Sequence, residues 1–204
     1  MSNSSDVNVL ELSTELNDAS ASWLALPDEA KLPDEIKTLF QQQRDAYGFV
    51  HPYFYGYALN PEHFLRWWHY YDAIQHRAGG LSHRERELIA VVVSATNRCE
   101  SCVLTHQAQL LSVTGDRALT NAVASDYRTA HLTDREHAIL DFAVKLTRLD
   151  SDLSPNDLEL LRDEGLSDEA ILEVGEVAGQ FSLSNRLSKA FGWKVKPGQL
   201  KILN

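Results

Sequence analysis

The only two cysteines of the chain stand three positions apart, at Cys99 and Cys102, and His106 follows four residues later. Each residue of a helix turns about 100°, which puts the three side chains within about 60° of one another on a single face. That face carries two thiols and an imidazole, a set suited to thiol redox chemistry. The thiolate is the nucleophile, and a thiol with the ordinary pKa near 8.5 is mostly protonated at neutral pH. Three features act to lower that value here. The cysteines lie in the first turn of a helix, where free N–H groups favour negative charge. His106 is one turn along and can take the proton, and Arg98 adds positive charge. Once one sulfur is oxidised to a sulfenic acid, the second can close a disulfide on it.

Glu87 stands twelve residues before Cys99, on the preceding helix. If the two helices pack side by side, its carboxylate reaches His106, orients the imidazole and tunes its basicity. Two blander readings compete. Inert packing thiols would not need the spacing or the histidine. Zinc would find four ligands in Cys99, Cys102, His106 and Glu87, but structural zinc sites draw on two ligand pairs and no second pair is placed here. Neither a metal nor a cofactor is expected. The remaining histidines, His51, His63, His69, His76, His83, His131 and His137, read as surface or packing residues.

The elements that must carry these groups read as helix after helix. A first helix starts near Pro33-Asp34-Glu35, with Ile36, Leu39 and Phe40 on one face, and fades by Gly48. Asn60 as N-cap and Pro61 in the first position open another. Its Phe64, Trp67, Trp68, Tyr71 and Ile74 read as core packing rather than a substrate pocket. Ser82 and Glu85 form a capping box for a helix through Leu88, Ile89, Val92 and Val93. The valines favour a strand, but the cap outweighs that weak preference. A break near Thr96-Asn97 then starts the cysteine helix, which Gly115 stops. Leu132-Thr133-Asp134-Arg135-Glu136 repeats the pattern of Leu81-Ser82-His83-Arg84-Glu85, through duplication or through a shared capping box. Ser154-Pro155 and Ser167-Asp168-Glu169 open two more helices, the second running through Val177. A separate last helix covers about 182–191. No segment reads as a convincing strand, and the expected class is all-α. Residues 1–25, polar and aperiodic, are expected to be a flexible N-terminal arm on a single domain spanning 26–204.

The net charge of −10 argues against a nucleic-acid partner and against docking on an anionic membrane. No apolar run approaches the roughly 18–20 residues of a membrane helix. The N-terminus lacks the basic start and apolar stretch of a signal peptide, so a cytoplasmic location is expected. A reducing compartment argues against a permanent structural disulfide.

The pattern Glu-x11-Cys-x2-Cys-x3-His, ending at His106, resembles the active-site signature of AhpD-like alkylhydroperoxidases within the carboxymuconolactone decarboxylase superfamily. The stretches Leu81 to Ala95 and Leu132 to Ala143, with the Asn185-Arg186 pair, are similar to its peroxidase-related branch. The likeness covers about residues 24–195. It implies an AhpD-like multi-helix orthogonal bundle and a homo-oligomer. It also implies a peroxidatic Cys102, a resolving Cys99, and a proton relay of His106 and Glu87. The substrate would be a hydroperoxide, and the reductant an external dithiol or protein. Members of the AhpD group carry a histidine just before the second cysteine, where this chain has Ser101. A carboxymuconolactone decarboxylase-like enzyme and a non-enzymatic redox-sensing oligomer remain the alternatives.

Overall fold

The computed structural model describes residues 22–195, 200 and 203, and every regular element among them is helical. In chain order these are α1 (Asp34–Tyr47), α2 (Pro52–Tyr57), α3 (Pro61–His76), α4 (His83–Thr96), α5 (Glu100–Thr114), α6 (Arg117–Asp126), α7 (Asp134–Arg148), α8 (Pro155–Asp163) and α9 (Asp168–Phe191). Short 3-10 turns cover Glu29–Lys31 and Tyr127–Thr129. The expected all-α class holds. Residues 1–21 of the expected arm lie outside the described residues, while Trp23 donates its backbone N–H to Phe191 and Ser22 accepts from the Trp193 indole.

Local chemistry explains the boundaries. Asn60 caps α3 by accepting from the backbone of His63, and Pro61 follows at the first position. Both expected capping boxes form, Ser82 with Glu85 and Thr133 with Glu136. The matching arginines cross over. Arg84 of α4 bonds Glu136 of α7, and Arg135 of α7 bonds Glu85 of α4, each at 2.6 Å. The two similar segments therefore clamp each other reciprocally, and each glutamate serves its own cap and its partner's arginine at once.

Helix α4 is the axis of the molecule. It packs against α5, α7 and α9, with α6 and α3 alongside. Every residue from Glu85 to Ser94 is buried. A helix apolar on all sides must be surrounded, which is why a valine-rich stretch persists as helix. Each fully buried valine contributes on the order of 1.5–3 kcal/mol relative to exposure, more than the helix propensity it forgoes. A second, aromatic cluster joins α1, α2 and α3 to Trp193. Gly56 permits that contact, because a Cβ there would overlap the Trp193 ring.

Three sequence expectations are corrected. α2 and α6 were not anticipated: α2 is too short to show a period, and α6 begins with an Asp116 cap whose side chain accepts from Leu119. The two helices expected after Ser167 are one, running 24 residues through Gly175 and Gly179. Its neighbours supply the packing that offsets the low helix propensity of glycine.

Candidate active site

The elbow between α4 and α5 sets the cysteines. α4 ends at Thr96, and Arg98 turns the chain in the left-handed region at φ 55°, unusual for a residue with a Cβ. The Cys99 N–H bonds back to the Ser94 carbonyl. Asn185 of α9, fully buried, holds this turn from the side. Its amide donates to Ser94 Oγ and accepts from the Asn97 side chain, both at 3.0 Å. The Asn185-Arg186 pair thus divides: Asn185 braces the elbow, while exposed Arg186 bonds its own helix at Ser182.

Cys99 becomes the N-cap residue of α5, and Cys102 lies in the first turn. The two are joined as a disulfide, with Cα atoms 5.3 Å apart. Ser101 between them is buried and accepts the backbone N–H of Val195 at 2.6 Å, tying Val195 to this turn. Arg98 is exposed, so water screens its charge from the thiols.

One turn on, His106 meets Glu87. Its Nδ1 lies 2.9 Å from Glu87 Oε2, across the contact of α4 with α5. Gln75 of α3 donates to the other carboxylate oxygen at 2.7 Å, and His83 Nε2 lies 3.6 Å from it. Burial alone would push the Glu87 carboxyl up. The His106 imidazole, with His83 and Gln75, outweighs that and holds it at about 2. A carboxylate facing Nδ1 makes that nitrogen the protonated one and leaves Nε2 of a neutral His106 as a base. The ring packs edge-on against Phe181, centroids 4.4 Å apart.

These groups border one cavity of about 640 Å³. Cys102, His106, Glu87 and Phe181 line it; Cys99, 3% exposed, is not among its lining residues. Trp67, Trp68 and Tyr71 of α3 line it as well, so the aromatic cluster serves both core and cavity. Ring contacts run from His106 through Phe181 and Tyr71 to Trp67.

Three lining histidines, His51, His76 and His83, read in sequence as surface or packing residues, and His76 bonds Asp72 on its own helix. His83, half exposed, stands one turn before Glu87 on α4, a spacing that was available as a signal. His51 gave none, lying far upstream as the N-cap of α2. Its Nδ1 accepts the Tyr53 backbone N–H at 3.1 Å, and its Nε2 lies 3.1 Å from Thr105 Oγ1. The Thr105 hydroxyl in turn donates to the Ser101 carbonyl. His51 sits deep in the fold, with part of its surface open to the cavity. Burial, with some repulsion from His106, pulls its pKa down to about 3, and it is neutral at physiological pH.

Comparison with known proteins follows the same lines. The carboxymuconolactone decarboxylase family matches residues 61–145. The chain is 33% identical to an uncharacterized peroxidase-related protein from Ralstonia eutropha JMP134, described as an alkylhydroperoxidase AhpD core, over 88% of this chain and 95% of that one, with a TM-score of 0.82. A peroxidase-related protein from Silicibacter sp. TM1040 is 35% identical over 83% and 89%, with a TM-score of 0.78. The debrominase Bmp8 shares the fold, at 16% identity over 90% and 97% and a TM-score of 0.74. No curated protein matches the chain.

Proposed function

The chain belongs to the AhpD-like group of the carboxymuconolactone decarboxylase superfamily, and from that premise we propose that it is a thiol-dependent hydroperoxide reductase. The observation that carries this reading is the asymmetry of the two sulfurs. Cys102 borders the cavity one turn from the His106–Glu87 pair, and Cys99 stands behind it within disulfide reach.

In the reduced protein, His106 Nε2 takes the proton of the Cys102 thiol, and Glu87 stabilises the imidazolium. The thiolate attacks the terminal oxygen of ROOH. The O–O bond breaks, sulfur becomes a sulfenic acid, and the leaving RO⁻ takes the proton from His106. Cys99 then attacks the sulfenic sulfur, releasing water and forming the disulfide. An external dithiol or a protein reductant returns both thiols. The size and aromatic wall of the cavity favour an organic hydroperoxide over hydrogen peroxide. In the same reading the chain is a homo-oligomer, which light scattering would report. No helix of the described residues is long and apolar enough to cross a membrane.

The test is a thiol count and intact mass of the reduced protein before and after one equivalent of an organic hydroperoxide. Wild type should lose two thiols. Cys99→Ser should stop at a sulfenic acid on Cys102, and Cys102→Ser should consume no peroxide. A Cys102→Ser protein that reacts as fast as wild type would overturn the assignment.

A further inference from the structure

We propose that His51 is a second catalytic imidazole of this site, a neutral Nε2–H donor that stabilises the oxygen leaving from the hydroperoxide. This rests on the thiol-peroxidase reading and adds to it a residue that the cysteine, histidine and glutamate set does not contain.

The hydrogen bonds fix the two histidines in opposite senses. The carboxylate of Glu87 holds His106 with its proton on Nδ1, so its free edge is a base. The backbone N–H of Tyr53 points at Nδ1 of His51, and that nitrogen must accept. The proton of neutral His51 therefore sits on Nε2, and that nitrogen is a donor. Protonating Nδ1 as well would break the cap of α2 and place a positive charge near the imidazole that receives the thiol proton. Burial and that repulsion both keep the ring neutral. The two hydrogen-bond patterns therefore give the site one accepting and one donating imidazole nitrogen.

Placement agrees with this. His51, Cys102, Thr105 and His106 all line the cavity. At rest the Nε2–H rests on Thr105 Oγ1, one turn along α5 from Cys102. A substrate oxygen entering between the two histidines takes or shares that bond. As the Cys102 thiolate forms its S–O bond, the O–O bond breaks and its electron pair collects on RO⁻. His51 donates a hydrogen bond to that oxygen and keeps its own proton. The proton that completes ROH comes from His106, which had received it from the Cys102 thiol. Sulfur is oxidised by two electrons and the peroxide is reduced by two, and His51 ends the step unchanged. A donor preset for developing charge gives large rate effects.

A leaving-group donor is recognised by its dependence on the leaving group. The reduced protein would be mixed with tert-butyl hydroperoxide, which expels a strongly basic alkoxide, and separately with peracetic acid, which expels acetate. Alkylation of Cys102 by iodoacetamide, which releases no oxyanion, reads the thiolate alone. His51→Ser keeps an N-cap oxygen for Tyr53 and leaves no group reaching the cavity. With tert-butyl hydroperoxide its rate should fall about 100-fold, with peracetic acid no more than about threefold, and with iodoacetamide hardly at all. His51→Asn, also a capping residue with a shorter donor, carries the same test if the serine variant does not fold, with a smaller loss of the same pattern. Equal losses with both peroxides, or no loss with either, would overturn the role of His51 while leaving the thiol peroxidase standing. A wild-type Cys102 that is alkylated but inert to both peroxides would overturn the peroxidase reading and this role with it.

Discussion

The carboxylate of Glu87 accepts the Nδ1–H of His106 at 2.9 Å, joining α4 to α5 where both are buried. A carboxylate so placed does two things. It fixes the tautomer that leaves Nε2 free, and it lowers the cost of an imidazolium inside the protein.

Glu87→Gln keeps an acceptor for the Nδ1–H but removes the charge. Alkylation of reduced Cys102 at neutral pH should slow by about 100-fold, because general-base assistance of this kind is worth about 10²–10⁴. The pH at which alkylation becomes fast should move upward. An unchanged rate and profile would show that Glu87 does not act through His106.

Acid should destabilise the protein through His51 and Glu87 together. His51 has its usual value of 6.5 when unfolded and about 3 in the fold, so between those values the unfolded chain holds the extra proton. Stability from this group is complete above about 6.5 and is lost as pH falls toward 3. Glu87, at 4.5 unfolded and about 2 folded, adds a second loss below 4.5. Melting temperature measured from pH 7 to pH 4 should therefore decline. In His51→Ser the decline between pH 6.5 and 4.5 should be shallower. A parallel curve would contradict the neutral state of His51.

Ser101 is a tether in this structure. Ser101→Ala leaves the buried N–H of Val195 without its acceptor, at a cost of about 1–3 kcal/mol. For a chain of this size that corresponds to a fall in Tm of about 2–4 °C per kcal/mol. Hydrogen exchange at Val195 should accelerate more than exchange in the core of α4. Exchange at Val195 equal to wild type would mean the bond does not hold Val195 in place.

Asn185→Ala strips Ser94 and Asn97 of a shared partner at the elbow. A loss of about 1–3 kcal/mol is expected from the unsatisfied buried groups. Because the elbow presents Cys99, disulfide closure after peroxide oxidation should slow as well, and the sulfenic acid on Cys102 should accumulate. Lower stability with unchanged closure would confine Asn185 to a packing role.

Much of the fold was legible because helix signals are local. Asn60-Pro61, Ser82 with Glu85 and Thr133 with Glu136 each satisfy backbone groups within one turn of themselves, and each starts a helix where expected. The same locality placed Cys102 and His106 one turn apart on α5. Helices without a period or a recognised cap, such as α2, were missed for the same reason. The valine run and the glycines of α9 ran against local preference; burial of Val91, Val92 and Val93, and of Val174, Val177, Ala178 and Phe181 beside the glycines, decided both.

The sequence by itself determined the helical class, the cysteine pair and the imidazole beside it, because these depend on spacings of three and four residues. It offered Glu87 only on the condition that two helices pack side by side. Tertiary structure alone decided that α4 lies against α5 and delivers that carboxylate. It decided which sulfur faces the cavity, and that the aromatic face of α3 forms part of the wall. It brought His51, from the cap of a short helix far upstream, to the Thr105 hydroxyl at the cavity. These relations join side chains whose separation along the chain sets no distance between them. They are fixed by how buried helices cross, a property of the whole core that no local spacing records.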